Sequence, residues 1–385
     1  MNKRPFIILS VFLLLFSLIE KGQATETYRP ETSVAGFIQL PGSGRQVYNF
    51  NPGWRFFRGD VQGAEAVNFD DRSWNVVSTP HTVELMPAEG SGCRNYQGPA
   101  WYRKHFVLPA ETKGKRVVLH FEAAMGKQIL YLNGKRIQEH LGGYLPFTLD
   151  LTANGVQAGD SCLLAVFTDN SDDKSYPPGK RQYTLDFAYH GGIYRDVWMI
   201  AKSPVAITDA IDSQIVGGGG VFVHFDKISK KSAQVYVNTE VQNDDARSES
   251  VTVETTLTDA DGKVIKRSSG KLSLKPGEKK SIRQQMEVKN PTLWSPDTPY
   301  LYRVQSRIKK GNKSIDGGIT RVGIRLAEFR GKDGFWLNGK PFGQLVGANR
   351  HQDFAYVGNA LPNSQQWRDA CLLYTSPSPR DKRQS

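Results

Sequence analysis

The sequence predicts a mainly β protein built from two consecutive β-sandwiches, and two observations lead to this prediction. The 385 residues include 37 Gly and 20 Pro together with 15 Tyr, 19 Phe and 7 Trp, a composition typical of many short strands joined by tight turns. Apolar and polar residues alternate along most of the chain, and turn dipeptides such as Asn133-Gly134 separate the alternating stretches. An all-helical protein is excluded.

Residues 1–24 are predicted to be a secretory signal peptide. Lys3 and Arg4 precede an apolar run from Phe6 to Ile19, and Gly22-Gln-Ala24 supplies the small residues that a signal peptidase requires. An N-terminal membrane anchor is the alternative, but the run has 14 residues, fewer than the roughly 20 of a spanning helix. We therefore expect a secreted or periplasmic protein without a stable membrane span.

Residues 48–202 are predicted to form the first sandwich. Val117, Leu119 and Phe121 alternate with Val118 and His120, as in a half-buried strand. Ile129-Leu-Tyr-Leu132 then leads into Asn133-Gly134, a strong hairpin signal because both residue types tolerate a positive φ. The pattern indicates an antiparallel β-sandwich of ordinary domain size.

Residues 203–325 are predicted to form a second sandwich of the immunoglobulin-like type. Two stretches show a strict period of two, Val235-Tyr-Val-Asn-Thr-Glu-Val241 and Val251-Thr-Val-Glu-Thr-Thr-Leu257. Asp261-Gly262 and Pro276-Gly277 mark turns between the strands. Strands at intervals of 8–12 residues over about 120 residues are typical of this fold.

Residues 326–371 are predicted to begin a (β/α)8 barrel. A hairpin over Phe335–Lys340 precedes a buried strand over Gly343–Gly347, the polar cluster Ala348–Asp353 and a helix from Gln365 that Ser364 caps. A strand, a polar cluster at its carboxyl end and a helix are the repeating unit of such a barrel. The stretch 372–385 lacks periodicity and resembles foreign sequence joined to the reading frame, with a natural disordered tail as the alternative.

The charge and the cysteines exclude two classes of function. The formal net charge is +12, but the basic residues are dispersed and cluster only at expected turns and strand ends, so we expect no nucleic-acid partner. Cys93, Cys162 and Cys371 form neither a disulfide framework nor a metal-ligand spacing. One bridge between Cys93 and Cys162 remains open.

Six segments, in order along the chain, resemble glycoside hydrolase family 2, which includes β-galactosidases, β-glucuronidases and β-mannosidases. The segments are Gly98–Arg103, Leu132–Lys135 with Gly142–Phe147, Gly191–Val197, Leu293–Tyr302, Arg321–Arg325 and Gly347–Asp353. The resemblance implies a jelly-roll sandwich, an immunoglobulin-like sandwich and a catalytic barrel, in agreement with the architecture predicted from the residues.

The resemblance also implies a retaining mechanism, in which one carboxylate acts as acid and base and a second acts as nucleophile. In the family both are Glu residues late in the barrel. Only 51 residues follow Gly334, whereas a barrel needs about 250. We therefore expect an N-terminal fragment that lacks the catalytic glutamates and is inactive alone.

The resemblance places four substrate-binding residues in this sequence. Asp186 matches the family's sandwich aspartate that binds sugar hydroxyls, with a solvated loop residue or turn cap as the alternative. His351 matches the histidine near the terminal sugar, although a histidine at a strand end is often structural. Asn349 and Asp353 are weaker candidates for the same pocket, and Asp353 is equally suited to a backbone contact.

The expected activity is hydrolysis of terminal β-linked sugars from oligo- or polysaccharides, with β-galactosides as the first substrate class. β-Glucuronidase or β-mannosidase activity is the alternative within the family. A non-catalytic carbohydrate-binding protein is the alternative outside it, and a structural or adhesion protein ranks last. The sequence establishes no cofactor; some relatives bind Na⁺ or Mg²⁺ near the sugar, which makes these ions candidates in the complete enzyme, and the oligomeric state is left open.

Overall fold

The computed structural model describes residues 33–34, 37–88, 95–185, 187–213, 215–345 and 353–375. Within these ranges the chain forms 23 strands and two α-helices, α1 (Ala210–Ser213) and α2 (Asn363–Thr375). The predicted mainly β fold class is confirmed, and every pair of described strands is antiparallel. The strands are β1 (Ser33–Val34), β2 (Phe37–Ile38), β3 (Gln46–Asn49), β4 (Trp54–Arg58), β5 (Asn75–Val77), β6 (Pro99–Val107), β7 (Arg116–Phe121), β8 (Lys127–Leu132), β9 (Lys135–Leu141), β10 (Phe147–Asp150), β11 (Ser161–Asp169), β12 (Val197–Lys202), β13 (Val205–Ile207), β14 (Val221–Asp226), β15 (Ser232–Asn243), β16 (Glu249–Thr258), β17 (Val264–Leu274), β18 (Lys279–Lys289), β19 (Tyr302–Lys310), β20 (Lys313–Val322), β21 (Ala327–Phe329), β22 (Phe335–Leu337) and β23 (Lys340–Pro341).

The first sandwich packs a four-stranded sheet, β10-β7-β12-β3, against a six-stranded sheet, β5-β4-β6-β11-β8-β9. Its core is aromatic and aliphatic, with Trp54, Tyr102, Phe121 and Leu164 fully buried. The predicted hairpin is present between β8 and β9, where Asn133 and Gly134 have φ of +51° and +81°. A jelly-roll path for these strands stays a prediction.

The second sandwich packs a sheet of β13, β15, β14 and β18 against a sheet in the order β1-β2-β20-β19-β16-β17. The two alternating stretches are strands β15 and β16, and each predicted inward residue is buried. The backbone of β2 pairs with β20 at Ile38 and Ile319. The second sandwich therefore includes residues that precede the first, a contribution that the sequence analysis missed. The predicted domain boundaries stay predictions.

Paired charges join the two sandwiches. The Arg45 guanidinium donates two hydrogen bonds to Asp316, at 2.8 and 2.9 Å, and the Ile207 amide donates to the same carboxylate at 2.8 Å. Arg116 donates to Asp150 at 2.5 Å and to Asp244 at 3.0 Å. Each of these carboxylates accepts a hydrogen bond from a guanidinium, so the contact between the two sandwiches neutralises the charges that it buries.

The chain after residue 325 forms a small sheet, β21-β22-β23, and the predicted hairpin over Phe335–Lys340 is confirmed by β22 and β23. The predicted barrel strand over Gly343–Gly347 is not formed at residues 343–345, and Val346 and Gly347 lie outside the described residues. A barrel strand needs parallel neighbours, and the described strands offer none. Within the described residues no helix has the length and apolar character needed to cross a bilayer.

Candidate functional site

The candidate site lies where two segments distant in sequence meet on the first sandwich. One is the loop between β11 and β12, and the other is the segment 353–361 before α2. Tyr189 and Tyr194 from the loop form a buried cluster with Ala360, and Leu185 and Val357 pack against it. The end of the predicted substrate motif therefore lies against the loop that contains the predicted substrate aspartate.

Asn170 organises the start of the loop. Its side chain is 1% exposed, accepts from the Gly98 amide at 3.0 Å, and donates to the carbonyls of Tyr96 and Tyr189 at 2.9 and 3.2 Å. A Cβ on Gly191 would lie 2.8 Å from Cγ of Asn170. The loop therefore needs glycine at position 191 for the close approach of this side chain.

A polar network covers the same loop on its outer side. The Tyr189 hydroxyl donates to Asp172, and the Gln97 amide donates to Asp172 at 2.9 Å. Burial works in the opposite direction, but hydrogen bonds from Tyr189, Gln97 and the Gln182 amide lower the pKa of Asp172. The Gln182 side chain in turn accepts from the Tyr189 amide at 3.2 Å. The network fixes the shape of the loop on both sides of position 186.

A polar contact between the two segments joins His190 and Asp353. Nδ1 of the His190 ring lies 3.8 Å from Oδ1 of Asp353, and the side chains are 1% and 9% exposed. Burial lowers the pKa of His190, while Asp353 and the Asn359 side chain offset part of this effect. Gly358 packs directly on the ring, since a Cβ there would lie 2.6 Å from Cγ of His190.

A second polar contact holds the start of α2. The Asn363 side chain donates to Glu122 at 3.2 Å, and the Trp198 indole donates to the same carboxylate at 3.1 Å. The Asn363 amide donates to Asp196, which also accepts from Asn51 at 2.9 Å. Burial raises the pKa of both carboxyl groups, and the mutual repulsion raises that of Glu122 further. Two carboxylates at a helix N-terminus also interact favourably with its dipole.

A third contact comes from residues 81–86. The His81 amide donates to the Ile193 carbonyl at 2.8 Å, and the Met86 amide donates to the Tyr356 carbonyl at 2.9 Å. Nδ1 of His81 lies 2.8 Å from the buried Tyr102 hydroxyl. Burial lowers the pKa of His81 to about 4. This stretch therefore links the β11–β12 loop to the segment 353–361.

Three of the four predicted substrate residues, Asp186, Asn349 and His351, lie outside the described residues. Asp353 is described, and it faces His190 rather than open solvent. Its role as a sugar contact stays a prediction. The neighbours Leu185 and Val357 meet in one cluster, so the loop that contains position 186 lies against the segment 353–361.

The structure also shows functional and supporting residues that the sequence analysis missed. Asn170, Asp172 and Gln97 act through long-range contacts, and nothing in their local pattern indicates this. The role of Gly191 could have been predicted from the sequence, since consecutive glycines before a strand indicate that another chain segment approaches the backbone closely. Trp101, Tyr102, Tyr189 and Tyr194 are buried, as expected for core aromatic residues.

Within the described residues no group of three or more His, Cys, Asp or Glu side chains is arranged to hold a metal ion. Cys162 is a buried free thiol and Cys371 an exposed one, whereas Cys93 lies outside the described ranges.

The described residues form two antiparallel sandwiches in series, with the segment 353–361 packed on a loop of the first. Sequence comparison agrees with this architecture. Residues 57–204 match the sugar-binding domain of glycosyl hydrolases family 2, and residues 219–325 match a second domain of glycosyl hydrolases family 2. The two matches together cover more than half of the sequence, and the chain belongs to this family.

Named relatives support the assignment. A β-galactosidase of Thermoanaerobacter pseudethanolicus is 34% identical over 330 residues, which are 86% of this chain and 42% of that protein. A β-glucuronidase of Formosa agariphila is 33% identical over 340 residues, which are 84% and 34% of the two chains. The structure of Bacteroides uniformis β-glucuronidase 2, covalently bound to cyclophellitol-6-carboxylate aziridine, superposes with a TM-score of 0.76 at 31% identity. The superposition covers 86% of this chain and 38% of that chain. The chain therefore spans less than half the length of these relatives.

Proposed function

We propose that this chain is the sugar-binding portion of a secreted, retaining exo-β-glycosidase that removes terminal β-linked sugars from oligo- or polysaccharides. Family membership supports the reaction class, because the named relatives are β-galactosidases and β-glucuronidases. The secreted address rests on the signal-peptide pattern of residues 1–24.

One observation carries the proposal beyond family membership. The loop that contains Asp186 and the segment that follows His351 are packed together through Tyr189, Ala360 and the His190–Asp353 contact. A sugar pocket needs several polar groups from different segments that converge on one ligand. Asp186, Asn349 and His351 are the groups we propose for this role, with the Asp186 carboxylate accepting hydrogen bonds from two sugar hydroxyls.

The acid/base and nucleophilic carboxylates are proposed to lie on the part of the relatives that this chain does not span. A retaining enzyme needs two carboxyl groups about 5–5.5 Å apart. Glu122 and Asp196 are neighbouring carboxyl groups, but both are occupied by the start of α2 and by buried side chains. We therefore assign only binding groups to this chain, and we expect no hydrolysis by the chain alone.

We propose β-galactosides as the first substrate class, on the resemblance of the Asn349-Arg-His351 motif. β-Glucuronides are the second candidate, favoured by the β-glucuronidase relatives and by the fold match to Bacteroides uniformis β-glucuronidase 2. β-Galactosides and β-glucuronides differ in one chemical respect. A glucuronide carries a carboxylate, and this group requires a cationic partner in the pocket.

The test is binding and turnover of matched glycosides by the purified chain. Methyl β-galactoside, β-glucuronide and β-mannoside are titrated in ligand-observed NMR, and the nitrophenyl glycosides are assayed for hydrolysis. We expect binding of one glycoside without turnover, and at least tenfold weaker binding by Asp186→Ala. Asp173→Ala is the matched control, because Asp173 lies on the same loop, is exposed and bonds only to Ser175 among the contacts described.

Two results would overturn the proposal. Hydrolysis of a nitrophenyl glycoside that Asp186→Ala abolishes would show that the catalytic pair lies within the chain. Failure to bind all three glycosides, with Asp186→Ala and Asp173→Ala indistinguishable from the wild type, would remove the sugar-binding role. Reading the source DNA across the codons for Trp367–Tyr374 is the companion measurement, and we expect the frame to continue into the catalytic barrel.

A further inference from the structure

We propose that His190 is a positioning residue: through Asp353 it fixes the segment 353–361 on the first sandwich and so holds the two halves of the sugar pocket together. The inference rests on the proposed function for its purpose. The contact itself is a feature of the described residues and is tested without any sugar.

The first argument is the cost of burying these groups. His190 is 1% exposed and faces a carboxylate that is 9% exposed. Among the described residues neither ring nitrogen has a hydrogen-bond partner of standard geometry, and Asp353 and the Asn359 side chain are polar groups there that face the ring. A polar ring buried this way is unfavourable compared with an apolar side chain. An apolar residue would fill the same space, so the imidazole is explained by its interaction with the segment.

The second argument is the shape of the segment. Gly358 has φ of +54° and passes so close to the imidazole that no Cβ fits between them. The Gly358 amide donates to the Phe354 carbonyl at 2.9 Å, and the Phe354 amide donates back at 3.0 Å. The segment thus forms a closed turn with the ring against its glycine. Asp353 lies directly before this turn, so one side chain contacts both ends of it.

The third argument is the rigidity of the support. His190 is followed by Gly191, whose carbonyl accepts from the Val83 amide at 3.1 Å, and by Gly192, whose carbonyl accepts from the Met125 amide at 3.0 Å. The backbone that carries the ring is therefore anchored to two other parts of the sandwich. A side chain can position a distant segment only when its own backbone is held in this way.

The fourth argument is chain reach. Position 351 is two residues before Asp353, and position 186 is four residues before His190. A fully extended chain spans at most about 3.6 Å per residue, so chain connectivity alone keeps position 351 within about 7 Å of Asp353 and position 186 within about 14 Å of His190. Because each position is tethered in this way, the His190–Asp353 contact limits the separation between the two positions.

The experiment is amide hydrogen exchange of the full chain in four variants: His190→Gln, Asp353→Asn, the double variant and Asp353→Glu. The reporter is the Met86 amide, which donates to the Tyr356 carbonyl across the contact. We expect His190→Gln and Asp353→Asn each to lower protection there at least tenfold, with the central β7 amides unchanged. The double variant should lose no more than either single one, and Asp353→Glu should keep protection near that of the wild type.

The control for loss of a histidine ring is His140→Gln, since His140 lies on β9 and stacks on Phe147. It should leave the Met86 amide protected. Unchanged protection in Asp353→Asn, or an equal loss at Met86 and in β7, would overturn the positioning role. If His190→Gln does not fold, Asp353→Asn and Asp353→Glu decide the question by the same criterion.

Sugar titration separates this inference from the proposed function. If both hold, Asp353→Asn weakens glycoside binding in proportion to its loss of protection at Met86, and Asp353→Glu restores it. If the chain binds no glycoside but the exchange result is as expected, the proposed function fails and the positioning contact stands. If glycosides bind equally to wild type and Asp353→Asn, the positioning role is wrong and the proposed function stands.

Discussion

Among the described residues, the contact of the first sandwich with the second sandwich and its contact with the segment 353–375 are built in opposite ways. Towards the second sandwich, Arg45 and Asp316 form a bidentate pair, and the side chain of Asp316 is 0% exposed. Towards the segment 353–375, the buried groups are His190, Glu122 and Asp196, whose pKa values burial shifts towards the neutral forms. One contact neutralises its charges and the other leaves titratable groups without a full counter-charge.

The difference indicates what each contact is for. A buried bidentate ion pair breaks at high cost when one partner is lost, so it fixes the relative placement of two domains. Groups with shifted pKa values and incomplete pairing are concentrated at functional sites, where stability is given up for chemistry. We therefore expect the contact between sandwiches to be structural and the contact with residues 353–375 to serve the site.

The largest expected effect is the loss of Asp316. Asp316→Ala leaves the buried Arg45 guanidinium without its partner and the Ile207 amide without an acceptor. Removing one member of a buried pair costs about 3–5 kcal/mol, and we expect this loss in the free energy of unfolding. Urea unfolding followed by tryptophan fluorescence measures it.

The control for this prediction is the exposed pair of Asp70 and Arg72, whose side chains are 60% and 86% exposed. Arg72→Ala should leave the urea midpoint unchanged, because exposed ion pairs contribute little. Equal midpoints for Asp316→Ala and Arg72→Ala would show that the contact between the sandwiches does not depend on this charge pair.

The fold was predictable where local pattern and tertiary structure agree. The period of two in Val235–Val241 specifies which residues face the core, because strand side chains alternate between faces whatever the partner strand is. The pairing of Ile38 with Ile319 was not predictable, since a strand of two residues has no period and its partner is far away in sequence. The strand predicted over Gly343–Gly347 depended on parallel neighbours that the described residues do not provide.

The candidate site was predictable only in part, for a related reason. Asp353 was found because it stands in a dense polar motif, and sequence alone shows such motifs. Its partner His190 lies 163 positions earlier, and only the fold brings the two side chains together. Asn170 and Gln97 were missed because their hydrogen bonds go to backbone groups of other segments, which leave no trace in local composition.

The next effect is the pH dependence of the contact with residues 353–375. His81 supports the stretch that carries Met86, and burial lowers its pKa to about 4 from 6.5. A lowered pKa means that the unfolded chain takes up a proton below pH 6.5 that the native chain does not. The contribution of His81 to stability is therefore complete above pH 6.5 and falls by about 1.4 kcal/mol per pH unit below it, towards a total near 3 kcal/mol at pH 4.

Unfolding free energies of the wild type and His81→Gln, measured between pH 7.5 and 4.5, test this prediction. The variant should be less stable at pH 7.5, and the difference should shrink as the pH falls. Other carboxylates titrate in both proteins, so the difference between the two curves isolates His81. Parallel curves over the whole range would contradict the assigned cause.

The smallest effect is expected for Glu122→Gln, and it has the opposite sign in pH. Burial and then the neighbouring Asp196 raise the pKa of Glu122, so the native chain holds a proton that the unfolded chain releases. Stability from this group is therefore greatest at low pH and is lost as the pH rises from the ordinary pKa of Glu to the raised one.

The glutamine side chain in Glu122→Gln keeps a neutral oxygen that accepts from the Trp198 indole and from the Asn363 side-chain amide. Each such hydrogen bond is worth about 1 kcal/mol. We expect Glu122→Gln to be as stable as the wild type at pH 4 and more stable at pH 8, by about 1 kcal/mol at most. Asp316→Asn should be destabilised at both pH values, because the Arg45 guanidinium then loses its bidentate carboxylate partner at either. Glu122→Gln could instead be destabilised at pH 8 as strongly as Asp316→Asn. In that case the contact with residues 353–375 depends on its carboxylates just as the contact between the sandwiches does, and the carboxylates at the start of α2 are structural.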